Sequence, residues 1–172
     1  VYLVDSLTAT LDGTCDHVHE NQLEWYKNTR DRLKEENGEY VPSVVFQHIP
    51  VNEIYELLME VPKGTPNSAQ GYREWDGKFF AMNPERVYVN DRSFIGETPS
   101  VPEENGGQFD VMNEKGDVFL MLFGHDHNNS FMGEYKGMKM GYTQGCGFNV
   151  YGPAHKRGVR IFDFDENDVK NF

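Results

Sequence analysis

Apolar residues recur along this chain in two rhythms, one of strands and one of helices. Val1-Tyr2-Leu3-Val4 is a short continuous apolar run that stops at Asp5-Ser6, the pattern of a buried strand. A polar loop follows to about Glu20. From Glu20 to about Glu36 the spacing turns helical: Leu23, Tyr26, Arg30 and Leu33 share a face, Trp25 flanks it, and Asn37-Gly38 is a stop signal. Ser43 to Gln47 forms a second apolar strand centred on Val44 to Phe46. It runs into His48-Ile49-Pro50, where the proline breaks away. Val51 to Glu60 predicts a short helix with Ile54, Leu57 and Leu58 inward, ended by Pro62.

Residues 61 to 108 lose this regularity. They hold five of the eight prolines and six glycines, and they predict a long loop-rich insert with one short strand at Arg86 to Val89. Gln108 to Glu114 predicts a helix stopped by Gly116. Asp117 to Phe123 contains the most apolar run of the chain, Val118-Phe119-Leu120-Met121-Leu122. Short strands follow at Gly133 to Lys136 and Met138 to Tyr142, then a loop with Gly145, Gly147 and Gly152, and a closing strand from Lys156 to Phe164. Strands and helices alternate early and strands dominate late, which predicts a mixed α/β architecture.

The length of 172 residues suits one domain with a sizeable core, and 38% hydrophobic with 13% aromatic residues is too rich for a disordered chain. The net charge of −12 argues against a general surface for nucleic acid or anionic membrane. It also attracts no phosphorylated substrate, so chemistry on phosphate would depend on local metal cations. Cys15 and Cys146 permit one disulfide without demanding it and leave the compartment open. There is no apolar run of about 18 residues and no signal peptide. The chain opens with Val1 inside a strand and not with Met, the expectation for a processed or truncated product.

The candidate chemistry sits where strands end. The last strong strand stops at Gly124 and presents His125-Asp126-His127-Asn128; the second strand ends at His48. Imidazoles grouped at strand ends are good ligands for transition metals. Phe46-Gln47-His48-Ile49-Pro50 resembles an F-x-H-I-P ligand motif, and Gly124-His125-Asp126-His127 a G-H-x-H motif, of the calcineurin-like metallophosphoesterases. Val1 to Ser6 is similar to that family's L-x-x-L-D-S strand, and Gln22 to Tyr26 to its SQ-x-x-W-F/Y helix. Glu134-Tyr135-Lys136-Gly137, with Gly141-Tyr142 and Tyr151-Gly152, resembles its purple-acid-phosphatase-like branch. A bare GHxH recurs by chance; GHDHNNSF after an apolar strand, with FQHIP upstream, is far more specific.

The resemblance implies the C-terminal half of a layered α/β/β/α sandwich, a single partial domain spanning 1–172. It implies a dinuclear centre of divalent or trivalent transition metals (Mn, Zn or Fe), about 3.5–4 Å apart, that activates water to hydrolyse phosphate mono- or diesters. His48 and His125 would hold one ion and His127 the other. Asp126 would orient an imidazole or stay solvated, and Asn128 would approach substrate or cap the turn. The family's Asp-x-His, Gly-Asp-x-x-Asp and Gly-Asn-His-Asp/Glu motifs, the last with its catalytic histidine, are not in this sequence. No catalytic residue is therefore expected here, and the isolated chain is expected to be inactive, with an N-terminal half as its partner. Without that half a sheet edge and apolar surface should be open. The alternative is a non-catalytic metal-binding or interaction module, or a plain globular domain whose histidines satisfy turns.

Other features carry weaker expectations. His17-Val18-His19 has the wrong order for a family motif, and His17, His19 and His155 read as surface or loop residues. Tyr135, Tyr142 and Tyr151 read as core. Gly96-Glu97 resembles a G-E-x-P loop of the same branch, without an assigned role. Asn128-Asn129-Ser130 is a glycosylation sequon, but a glycan there would block the histidine pocket.

Overall fold

The computed structural model describes residues 1–7, 13–71 and 73–172, apart from the side chain of Glu74. The polar loop expected before the first helix lies partly outside these residues. β1 (Tyr2–Leu3) is followed by α1 (Glu20–Asn37) and β2 (Ser43–Gln47). α1 starts because the Gln22 side chain accepts from the His19 N–H at 3.0 Å. It stops at Gly38, whose φ of 84° is the left-handed conformation glycine adopts without a Cβ penalty, and whose N–H donates to the Lys34 carbonyl. Its buried face carries Leu23, Tyr26 and Arg30, as the spacing predicts.

The expected helix over 51–60 is replaced by two elements. Asn52–Leu57 is a 3₁₀ helix, and β3 (Leu58–Val61) is a strand. β4 (Ser68–Gln70) and β5 (Phe79–Met82) follow, and β3, β5 and β4 form an antiparallel three-stranded sheet. The backbone groups of residues 58–61 are satisfied by β5, with Leu58 opposite Met82 and Val61 opposite Phe79, a long-range pairing that overrides the local helical spacing. Residues 61 to 108 are therefore more ordered than the proline count suggests. The strand expected at 86–89 reduces to a single bridge between Val87 and Gly133.

After β6 (Phe94–Ile95) come α2 (Gln108–Asn113), β7 (Val118–Phe123), β8 (Asn129–Ser130), β9 (Met132–Tyr135) and β10 (Met138–Tyr142). The main sheet has the order β1-β2-β7-β10-β9; β1, β2, β7 and β10 run parallel and β9 is antiparallel to β10. All six residues of β7 are buried, the expectation for a central parallel strand covered on both faces. On one face Tyr26 of α1 and Phe109 and Met112 of α2 share a core with Val45, Met121 and Phe123. On the other, Val44, Phe119, Leu120 and Leu122 are covered by Phe162, Val169 and Phe172 from the C-terminal segment. That segment is extended but pairs with no strand, so the closing strand expected at 156–164 is absent among the described residues; Val159 and Ile161 are exposed. β1 ends the sheet, and there Leu3 and Phe46, opposite each other in register, are 76% and 41% exposed. Cys15 and Cys146 are both free thiols.

Candidate functional site

Parallel pairing of β2 with β7 decides where the histidines meet. Gln47 lies opposite Phe123, so both strands reach the same sheet edge together, and the Gly124 N–H adds one further bond to the His48 carbonyl at 3.1 Å. Carboxyl ends of parallel strands are where such sheets place their ligands. His48 Nε2 comes to 3.2 Å from His125 Nδ1. Gly124 permits this approach, because a Cβ there would sit 3.3 Å from the His48 ring nitrogen. His125 itself adopts φ 67°, a left-handed conformation uncommon outside glycine. Burial first, then the neighbouring charges of His48, His127 and Arg73, hold its pKa below the ordinary 6.5, so its imidazole is neutral near pH 7 and has a lone pair to offer.

His127 points to a different partner. Its ring stacks on Tyr151 with centroids 4.3 Å apart, and its Nδ1–H donates to the Tyr151 carbonyl at 2.9 Å. This hydrogen bond selects the tautomer whose Nε2 carries the lone pair, the usual arrangement of a histidine ligand. Gly145 gives the ring its room, since a Cβ there would come within 3.0 Å of His127 Cβ. Tyr151 is 55% exposed and packs onto the histidine loop from the segment after β10, not core as its sequence context suggests.

Asp126 is 4% exposed. Its Oδ2 accepts from the Tyr142 hydroxyl at 2.5 Å and from the Ser100 N–H at 3.0 Å, tying the histidine loop to β10 and to the segment after β6. Burial pushes its carboxyl up to about 7. The Asn128 N–H donates to Glu97 Oε1 at 2.8 Å, and its carbonyl accepts from the Gly96 N–H. Glu97 Oε1 also accepts from the Tyr151 hydroxyl at 3.2 Å. The Gly96-Glu97 motif therefore braces the histidine loop, which assigns it a role. Position 96 must be small: a Cβ would lie 2.7 Å from the Asn128 carbonyl oxygen.

Sequence reasoning also missed Cys15, whose buried thiol lies 3.6 Å from His125 Nε2 and 3.7 Å from the Ser100 hydroxyl. No local pattern marks it; it arrives from the loop before α1. His155 is exposed.

Two nitrogens 3.2 Å apart match two ligands of one zinc-sized ion, whose ligand–ligand edge is roughly 3.3 Å for bonds of about 2.0 Å in a tetrahedron. His48 and His125 fit a metal in this sense, and His127 is in a ligating tautomer. The three do not form a closed set: among the described residues, the one group of three His, Cys, Asp or Glu ligand atoms within 4.8 Å of one another is Asp16, His17 and His19. The histidine pair thus fits one side of a centre that needs further ligands.

No family model matches the chain, and no solved structure matches it. Over 160 residues it is 28% identical to "Probable inactive purple acid phosphatase 29" of Arabidopsis thaliana, covering 88% of this chain and 34% of that protein. Over 175 residues it is 28% identical to "Probable inactive purple acid phosphatase 14" of the same plant, covering 95% of this chain and 37% of that protein. The chain is a relative of the purple-acid-phosphatase-like proteins. It spans about a third of the length of these curated relatives. No helix among the described residues is long and apolar enough to cross a membrane.

Proposed function

We propose that this chain is the C-terminal half of a calcineurin-like metallophosphoesterase domain. Its whole protein hydrolyses phosphate mono- or diesters with metal-activated water. The observation that carries this reading is the approach of His48 Nε2 to His125 Nδ1 at the ends of adjacent parallel strands. A metal held there supplies Lewis acidity and an activated water. This chain's own part is to place the ligands: β2 and β7 set the pair, Tyr151 orients His127, and Asp126 and Glu97 hold the loop. Remaining ligands, the second ion's cage and the general acid come from the N-terminal half of the layered α/β/β/α sandwich, which packs at the β1 edge beside Leu3 and Phe46. The phosphorylated substrate binds over the completed centre. Alone, the chain has no meaningful turnover.

A second reading is favoured by the relatives' names, which call them probable inactive phosphatases: a centre that binds metal without catalysis. Metal content and p-nitrophenyl phosphate hydrolysis, measured with Mn, Zn and Fe, separate the two. The chain and a version extended upstream to a start codon are compared. The enzyme reading expects hydrolysis from the extended protein only, lost in H48N/H125N. Metal that is lost in H48N/H125N, without hydrolysis by the extended protein, selects the second reading. Unchanged metal content in H48N/H125N would falsify the ligand assignment itself.

A further inference from the structure

The loop before α1 gathers a second set of ligands away from the histidine pair. Asp16 Oδ1 lies 3.1 Å from His19 Nε2 and 3.6 Å from His17 Nδ1, and the three ligand atoms all fall within 4.8 Å of one another. These separations bracket the roughly 3.3 Å edge of a tetrahedral zinc site. We propose that Asp16, His17 and His19 form a divalent transition-metal site distinct from the His48–His125 centre.

Each ligand is positioned by a different device. The His17 N–H donates to Asp16 Oδ1 at 2.8 Å, which turns the carboxylate back over its own loop. The His17 ring lies against Gly106, where a Cβ would come within 2.4 Å of it, so that loop packs directly on the imidazole. His19 is the residue on which α1 begins, with its backbone held by Gln22. A simple ion pair would need one imidazole. Here two rings, centroids 5.0 Å apart, aim nitrogens at one carboxylate oxygen. Shifting each ring proton to its far nitrogen leaves a lone pair on each of three ligand atoms that lie within 4.8 Å of one another, a donor set able to take a cation.

The surroundings favour a cation. Asp16 and His17 line an open cavity of about 420 Å³ together with Glu103 and Glu104, whose charges reinforce the attraction. Two imidazoles and one carboxylate suit Zn²⁺ and its divalent first-row neighbours, not the all-oxygen preference of Ca²⁺ or Mg²⁺. Three protein ligands leave a position for water. The ion also has a structural consequence. Cys15, beside Asp16, rests its thiol 3.6 Å from His125, so fixing this loop fixes one wall of the histidine pair.

The test uses the 172-residue chain and Zn²⁺ alone, titrated by calorimetry, with the absorption of bound Co²⁺ as an independent spectroscopic readout. Zn²⁺ affinity is expected to fall at least tenfold in Asp16→Asn and in His19→Asn, where asparagine preserves a helix cap. Melting curves in chelator should overlay the parent's, which separates lost ligands from lost folding. The H48N/H125N variant is expected to keep this Zn²⁺. Absence of Zn²⁺ binding by the parent, unchanged affinity in both Asp16→Asn and His19→Asn, or loss of all Zn²⁺ in H48N/H125N alone would each overturn the proposal.

Discussion

Replacing Asp126 with asparagine tests whether a buried carboxyl governs the histidine loop. Asp126 is 4% exposed, and its Oδ2 takes both the Tyr142 hydroxyl and the Ser100 N–H. An asparagine carbonyl accepts the same two donors, so the variant keeps the hydrogen bonds and removes the charge. Burial raises the folded carboxyl from the ordinary 3.8 to about 7. Below 3.8 the folded and unfolded chains both hold the proton, and nothing separates them. Between 3.8 and about 7 only the folded chain holds it, so parent stability falls as pH rises through this window and levels off above it. At about 1.4 kcal/mol per tenfold change in proton affinity, the ceiling is about 4 kcal/mol. Titrating groups that do not interact with Asp126 cancel in the difference; Glu97 and His127, which do, contribute less than the burial of the carboxyl itself. Urea unfolding in chelator, at pH 5 and pH 8, measures it. Asp126→Asn is expected to gain on the parent by at least about 1 kcal/mol between the two pH values. A difference that stays flat, or one that favours the parent more at pH 8, refutes the reasoning.

Two further outcomes follow from the core and the brace. Tyr26 is fully buried and donates to Asp117 Oδ2 at 2.7 Å, while Asp117 Oδ1 has no hydrogen-bond partner among the described residues. Tyr26→Phe should therefore cost about 1–3 kcal/mol in chemical denaturation, because it strips the carboxyl of a donor without removing it; a cost near zero would show the bond to be dispensable. Gly96→Ala drives a methyl into the Asn128 carbonyl, at 2.7 Å, where backbone must yield. A loss of about 1–3 kcal/mol in thermal or urea unfolding is expected, and an unchanged midpoint would show that the 96–97 segment gives way freely.

Legibility in the sequence followed the range of the interactions. α1 was readable because its face, its start and its glycine stop are all local, within about four residues of one another. β7 was readable because a strand buried on both faces leaves an unbroken apolar run. The helix expected over 51–60 failed at Leu58, where pairing with β5, more than twenty residues away, outweighs local spacing. The closing strand failed for the converse reason: Val159 and Ile161 have strand propensity but no ladder to join among the described residues.

The candidate site divides in the same way. Sequence alone singled out His48, His125 and His127 as candidate ligands and showed that each follows an apolar strand or its turn, because those features are written in consecutive residues. Only tertiary structure decided that His48 and His125 face each other across paired strands while His127 turns onto Tyr151. It alone brought Glu97 and Asp126 under the loop and Cys15 against His125. It alone turned His17 and His19, unremarkable in sequence, onto Asp16. Such meetings depend on sheet register and on loops packing across the fold, and neither is encoded by spacing along the chain.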